Sequence, residues 1–327
     1  MGLVFGAGGV AGQAYHAGML SALADLTGWD PRTAEVVVGT SAGALMAVGL
    51  RAGFSAADLA ARATDDPLST EGAALIAQAP PDDVDPEALP AVDRSRGPAA
   101  PELLRRAARR PWEVPPGSLA AAALPAGTRS TAAIRSGVTR FLGDSWPDQE
   151  LWVCAVSLET GRLVVFGHPD AHDADGAEVT PGLAVAASCA IPGYFAPVEI
   201  GGVRYVDGAV ASPTSADVLA GRNLDLVIVS APMSVMAGEA KRPWNRVSRG
   251  VSRVLLTRES ARLRRSGTAV IAVEPTAGDI ELMSHDAMEA RHRAAVTRHA
   301  RETTLRRLAQ PAVQALLGGL TDQALAG

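Results

Sequence analysis

The sequence is poor in cysteine, in aromatic residues and in lysine. Its 327 residues include two cysteines, and aromatic residues make up 4% of the chain. Cys154 and Cys189 lie in separate apolar runs and do not form a disulfide framework, so we expect a reducing compartment. Alanine, valine and leucine must build most of the core. Lys241 is the single lysine, so nearly all positive charge is arginine.

Long apolar runs and an excess of positive charge are also missing. No uninterrupted apolar run reaches the roughly 18 residues typical of a membrane-spanning helix. The formal net charge is -5, which argues against nucleic-acid binding because phosphate contacts need surplus arginine or lysine. The first residues lack the basic and apolar regions of a secretory signal. We therefore expect a cytoplasmic protein, and the pattern leaves open a peripheral contact with a membrane.

The most informative stretch is residues 35–48, which read EVVVGTSAGALMAV. The valine run predicts a strand buried on both faces, and the last residues favour a helix. Between them, Gly39–Gly43 match the G-x-S-x-G pattern of a nucleophile elbow, a sharp turn that presents a serine for attack. Gly39 and Gly43 would let the strand and the helix approach closely around Ser41. The alternative is an ordinary strand-turn-helix in which Ser41 caps the helix.

A glycine-rich turn is predicted near the start of the chain. Gly2–Phe5 reads as a buried strand, Gly6–Gly12 as the turn, and Gln13–Thr27 as a helix. Glycines allow several backbone N–H groups to converge on one small anion. Beside a serine nucleophile, that anion would be the oxyanion of an acyl-transfer intermediate. The alternative for the turn is phosphate binding.

Acyl transfer at a serine also needs a base. None of the six histidines stands at the end of a predicted strand in a catalytic setting. Asp207 does, because it follows a predicted hairpin over residues 199–206 and precedes Gly208. Strand ends are where α/β sheets bind ligands, so Asp207 is the candidate base.

The order of the predicted elements indicates an α/β fold. Strand, helix, strand and helix follow one another within roughly the first fifty residues, which predicts a parallel sheet. Prolines cluster between positions 80 and 116. We expect residues at about 65–130 to form an insertion or lid over the serine. A helical part at about 285–327 completes a single domain over residues 1–327.

Arginines also repeat at helical spacing late in the chain. One predicted helix face carries Arg242, Arg246, Arg249 and Arg253. The opposing face carries Val247, Val251, Val254 and Leu255. We interpret the arginine face as solvated and the valine face as packed against the domain. The alternative is attraction of the arginines to anionic lipid headgroups.

Taken together, these blocks resemble the patatin-like phospholipases, which are serine lipid acyl hydrolases with a Ser-Asp dyad. The resemblance extends from Gly2 to about Pro213 and rests on the glycine turn, the GTSAG elbow, the segment ASCAIP at residues 187–192, and Asp207 with its following Gly-Ala, all in family order. It implies a three-layer α/β/α fold with a central, mostly parallel sheet. The sequence departs from the family at Ala7, where glycine is usual, and at Ala11, where a basic residue is common.

The resemblance also implies the site. Ser41 is then the nucleophile and Asp207 its base. The implied oxyanion hole is formed by the backbone amides of Gly8, Gly9 and Val10. The motif glycines that shape the turns are Gly39, Gly43 and Gly208. The implied substrate is a lipid or fatty-acyl ester, with no cofactor and no metal, and the sequence leaves the oligomeric state open.

Three alternatives stay open at this point. One is an α/β-hydrolase esterase in which Ser41, Asp207 and His285 form a triad. Another is a Rossmann-like nucleotide-binding protein, because residues 6–11 satisfy G-x-G-x-x-A. The second strand, however, ends in Gly39-Thr40-Ser41 where a dinucleotide fold places its acidic ribose ligand. The third is a binding or scaffold protein that keeps the fold without catalysis.

Overall fold

The computed structural model describes residues 1–81, 97–169, 178–239, 243–283 and 287–326. The chain divides into two compact units, one formed by residues 1–78 with 214–327 and one by residues 79–213. The fold class is α/β with a mostly parallel central sheet, consistent with three α/β/α layers, which confirms the predicted class. The prediction of one domain with an insertion stays a prediction.

The regular elements are numbered in chain order. The described strands are β1 (Gly2–Phe5), β2 (Val36–Thr40), β3 (Glu150–Ser157), β4 (Leu163–Phe166), β5 (Val198–Ile200), β6 (Val203–Asp207), β7 (Leu226–Ser230) and β8 (Ala269–Val273). The described α-helices are α1 (Gly9–Thr27), α2 (Ala42–Arg51), α3 (Ala56–Thr64), α4 (Thr70–Gln78), α5 (Pro101–Arg109), α6 (Pro116–Ala123), α7 (Ala132–Leu142), α8 (Pro181–Ser188), α9 (Pro243–Arg265), α10 (Ala277–Leu282), α11 (Arg293–Leu308) and α12 (Pro311–Ala326). No described helix has the length and apolar character needed to cross a bilayer.

The first unit is built on a parallel arrangement of β2, β1, β7 and β8, in that order. Every residue of β1, β2 and β7 is buried, as their valine-rich sequences predict for strands covered on both faces. Phe5, the last residue of β1, pairs with Gly39 on one side and with Ser230 on the other. The carboxyl ends of these three strands therefore lie side by side, where the segments that follow them can meet.

The second unit is antiparallel. Strand β3 pairs with β4 and with β6, and β5 pairs with the far side of β6. The helix α5 packs against this sheet through Leu103 and Ala107, which share a buried cluster with Val156 and Val206. The candidate base, Asp207, is the last residue of β6 and pairs with Ala155 of β3.

The segment between positions 51 and 129 is more regular than its sequence suggests. Residues 82–96 lie outside the described part, but α3, α4, α5 and α6 fall within this segment. Pro101 and Pro116 are the first residues of α5 and α6. Proline suits the first helical position because its missing N–H would have no helical partner there and its fixed φ matches the helix. These prolines therefore start helices within the segment that the sequence analysis assigned to an insertion or lid.

The predicted orientation of the arginine-rich helix α9 is wrong. Val247, Val251 and Val254 are exposed, at 72%, 57% and 50%. The buried face carries Ser252, Leu256, Glu259, Ser260 and Leu263. It is partly polar because the Glu259 carboxylate accepts hydrogen bonds from the Thr214 hydroxyl and the Ala216 amide. The sequence analysis placed the valines on the buried face of α9 because it relied on hydropathy alone. Arg242 and the side chain of Arg246 lie outside the described part.

Candidate active site

The candidate nucleophile lies in a strained turn. Strand β2 ends at Thr40, and α2 begins at Ala42, so Ser41 alone connects them. Its backbone has φ 54° and ψ -118°, a conformation that residues other than glycine rarely adopt. Such strain persists only where the surroundings enforce it, and it concentrates at functional sites. Ser41 is 5% exposed.

The two motif glycines enforce this turn. A β-carbon on Gly39 would lie 2.6 Å from the amide nitrogen of Ala44, and one on Gly43 would overlap the carbonyl oxygen of Phe5. Both neighbours are backbone atoms, which cannot rotate away. The G-x-S-x-G spacing is therefore needed to pack the start of α2 directly against the ends of β1 and β2.

The glycine turn has backbone donors that are unused in the part of the chain that the structure describes. Gly9 begins the 19-residue helix α1, and its φ of 61° suits glycine. The amide of Gly12 donates to the carbonyl of Gly8, and the amide of Ala11 donates to Ala287. Within the described residues, the amides of Gly8, Gly9 and Val10 make no hydrogen bond. Amide donors at the positive end of a helix are suited to a small anion, which is the role that the sequence analysis expects of these three.

The turn and the elbow are neighbours in the first unit. They follow β1 and β2, which are paired at Phe5 and Gly39 near their carboxyl ends, and a β-carbon on Gly12 would lie 3.5 Å from the β-carbon of Ala42. Ala42 directly follows Ser41. The structure thus brings together the serine and the turn that sequence reasoning selected separately.

His16 contacts the glycine turn through a hydrogen bond, and the sequence analysis did not predict this supporting role. This fully buried ring lies with Nε2 2.8 Å from the Gly6 carbonyl oxygen and Nδ1 2.7 Å from Ser230 Oγ. A carbonyl only accepts, so Nε2 carries the proton and Nδ1 accepts from the serine hydroxyl. Burial lowers the pKa of His16 to about 4, so the ring is neutral near pH 7. Its partner Ser230 is 214 positions away, and no sequence signal links the two.

A second support comes from α9. A β-carbon on Gly8 would lie 2.9 Å from Cγ of Pro232, so the proline packs directly on the turn. The Arg249 guanidinium donates to the carbonyls of Pro232 and Ser234, at 2.7 and 2.8 Å. Burial lowers the pKa of Arg249 to about 10, so the side chain stays charged at neutral pH. Arg249, which the sequence analysis placed on a solvated face, is thus a structural residue of the turn's surroundings.

The candidate base belongs to the second unit. Asp207 is 4% exposed and ends β6. Its amide donates to the Ala190 carbonyl at 3.0 Å, and its Oδ1 accepts from the Ala209 amide at 2.9 Å. The buried Gly208 begins a short 3-10 helix directly after it. His285, the third member of the alternative triad, lies outside the described residues.

Comparison with known proteins identifies the family. Residues 3–220 match the patatin-like phospholipase family, so the chain belongs to it. VipD from Legionella pneumophila is 14% identical, with a TM-score of 0.44 over 94% of this chain and 66% of that protein. The type III effector protein ExoU is 18% identical, with a TM-score of 0.35 over 99% of this chain and 53% of that protein. The chain therefore spans less than two thirds of either solved structure.

Proposed function

We propose that the chain is a lipid acyl hydrolase in which Ser41 is the nucleophile and Asp207 is its base. The observation that carries this proposal is the set of three amides at Gly8, Gly9 and Val10, which have no hydrogen-bond partner in the described part of the chain, next to a serine held in a strained elbow. Membership of the patatin-like phospholipase family supports a lipid ester as the substrate.

The reaction has two acyl-transfer steps. In the first, the Ser41 hydroxyl oxygen attacks the ester carbonyl carbon while its proton passes to Asp207. The C–O bond to the alcohol then breaks, and the alcohol leaves with that proton. In the second step, water attacks the acyl-serine, giving its proton to Asp207. The carboxylic acid leaves, and the proton returns to the Ser41 oxygen.

Both steps pass through a tetrahedral oxyanion. Amides that are already oriented toward this charge stabilise the transition state without having to reorganise, and one such donor contributes about 3 kcal/mol to lowering the barrier. The amides of Gly8, Gly9 and Val10 are suited to this role because the α1 dipole reinforces them. The hydrogen bond from Ala209 to Oδ1 fixes the Asp207 carboxylate in one orientation.

The proposal is tested by labelling and hydrolysis. A fluorophosphonate probe is expected to label the wild-type chain and not Ser41→Ala. Ser215→Ala is the matched control, because Ser215 is also buried and has a positive φ of 49°. We expect both Ser41→Ala and Asp207→Asn to lose hydrolysis of fatty-acyl esters by at least about 1,000-fold while folding normally.

Two results would contradict the proposal. Full labelling of Ser41→Ala would place the nucleophile elsewhere, and full hydrolysis by Asp207→Asn would remove the base. His285→Ala separates the dyad from the triad alternative, because the dyad requires that variant to remain active. We expect the wild-type chain not to bind NAD(H). Binding of NAD(H) would instead favour the Rossmann-like alternative.

A further inference from the structure

An arginine-rich surface in the second unit is unrelated to the proposed catalytic residues. The helix α5 buries Leu103 and Ala107 against the sheet and turns its charged side chains outward. The outward side chains line an open surface groove of about 510 Å³ together with those of the following turn. We call this set the arginine surface: Glu102, Arg105, Arg106, Arg109, Arg110 and Glu113.

The arginine surface has an excess of positive charge. Arg105 is paired with Glu102, and Arg110 with Glu113 at 3.0 Å. Arg106 and Arg109 have no carboxylate partner among the residues that the structure describes. They are three positions apart on α5, so their side chains share one face of the helix. The whole chain has a formal net charge of -5, so this positive charge is a local feature.

An exposed tryptophan lies within the same segment. Trp112 stands between Arg110 and Glu113 in the chain and is 79% exposed. Three other tryptophans with described side chains are buried or half-buried: Trp29, Trp146 and Trp152. In water an exposed indole gains nothing from its large apolar ring. At the headgroup level of a bilayer, both the ring and its N–H find favourable surroundings.

We propose that the arginine surface and Trp112 dock the protein onto bilayers that contain anionic phospholipids. Arg106 and Arg109 bind lipid phosphates, and Trp112 inserts at the headgroup level. The apolar face of α5 is already packed in the core, so the helix itself stays outside the hydrocarbon. Arginines that lack a carboxylate partner in the described part of the chain, followed closely in sequence by an exposed indole, favour a bilayer over a soluble anion, which would use the charges but not Trp112.

This inference rests on the proposed function, because docking onto a bilayer would bring a lipid acyl hydrolase to its substrate. A lipid acyl hydrolase meets its substrate in an aggregated layer, and the arginine surface would select layers with negative charge. Binding itself requires no catalysis, because none of the proposed catalytic residues belongs to the arginine surface. The two proposals can therefore fail separately.

Cosedimentation of the full chain with lipid vesicles tests the inference. We expect binding to phosphatidylcholine vesicles only when phosphatidylglycerol is included. Removing two charges in R106Q/R109Q should weaken that binding about thirtyfold, at roughly 1 kcal/mol per basic residue near the surface. The matched control R258Q/R265Q removes two charges from exposed, unpaired positions of the described part of α9. That control should change binding by less than about threefold, because Arg258 and Arg265 are not part of the arginine surface.

The tryptophan is tested in the same assay. Trp112→Ala should weaken vesicle binding about tenfold, and Trp112→Tyr should retain most of it, because tyrosine also favours the interface. Equal losses in the two double arginine variants would overturn the proposal, since only net charge would then matter. Full competition by inorganic phosphate, with no effect of Trp112→Ala, would also overturn it and indicate a site for a soluble anion.

Two measurements separate this inference from the proposed function. Ser41→Ala should bind the anionic vesicles as the wild type does, although it hydrolyses nothing. R106Q/R109Q should hydrolyse a short, water-soluble nitrophenyl ester at the wild-type rate. If the ester is hydrolysed normally but R106Q/R109Q binds vesicles as the wild type does, this inference alone is contradicted. If vesicle binding depends on the arginines but the wild-type chain hydrolyses no ester, the proposed function alone is contradicted.

Discussion

The ring of His16 joins the glycine turn to strand β7, because its two nitrogens contact the Gly6 carbonyl and the Ser230 hydroxyl at 2.8 and 2.7 Å. The turn is therefore held by a buried side chain with one tautomer. Pro232, fixed by Arg249, packs on the same turn. The amides of Gly8, Gly9 and Val10 thus lie on a turn that buried side chains of the first unit contact on two sides, which suits donors that must be oriented in advance.

The pKa of His16 makes stability depend on pH. The ordinary pKa is 6.5, and burial lowers it to about 4 in the folded chain. Below pH 6.5 the unfolded chain binds a proton that the folded chain does not, so stability is full above 6.5 and falls as the pH approaches 4. The loss reaches about 3 kcal/mol. It is measured by urea unfolding across this pH range.

His16→Gln is the control for that measurement. Glutamine can still donate to a carbonyl but does not titrate, so the variant should lack this part of the pH dependence. Other groups titrate in both proteins, and the difference between the two stability curves isolates His16. Parallel curves for wild type and variant between pH 4 and pH 6.5 would contradict the assignment.

Gly43→Ala should be severely destabilising. The added methyl group would overlap the Phe5 carbonyl oxygen, so α2 would have to move away from β1. We expect a loss of at least about 3 kcal/mol in the free energy of unfolding, together with the loss of probe labelling at Ser41. Gly137→Ala is the control, because Gly137 lies inside α7 with open space around it. That substitution should stabilise the protein by about 0.5–1 kcal/mol. Similar destabilisation by both variants would refute the steric argument.

Gly9→Ala should impair catalysis more than folding. It forces alanine to adopt a φ of 61° and sets its β-carbon 2.6 Å from the Ala287 carbonyl oxygen. The turn must shift, which misaligns the amides, and kcat should fall by about 100-fold or more. At Gly12 the added β-carbon would meet its neighbours at 3.4 Å or beyond, so Gly12→Ala should cost much less. Steady-state hydrolysis by the two variants makes the comparison, and an active Gly9→Ala would contradict the proposed oxyanion site.

Arg249→Gln should destabilise the first unit. The substitution leaves the carbonyls of Pro232 and Ser234 without their charged donor, which costs about 2–4 kcal/mol. Arg258→Gln on the same helix should change stability by less than about 0.5 kcal/mol, because Arg258 is exposed and unpaired within the described part of α9. Thermal unfolding of both variants provides the measurement. Equal stability of the two would show that Arg249 is not structural.

The sequence by itself determined the local features of the site. The elbow around Ser41 and the glycine turn could be predicted because their steric requirements involve only a few consecutive residues. Glycine is required where β1, β2 and α2 touch, and a valine-rich strand precedes the serine. The buried strands and the family were readable for the same reason. The pairing of Ser41 with Asp207 stays a prediction.

Only the tertiary structure decided which distant residues support these local features. The contact of His16 with Ser230 and the burial of Arg249 join segments far apart in the chain, and no periodicity encodes such a pair. In α9 the pattern correctly showed two faces, but the valine face lies outward and the face with Glu259 lies inward. Periodicity reveals that a helix has two faces. Which face is buried depends on the hydrogen-bond partners that other elements bring to it.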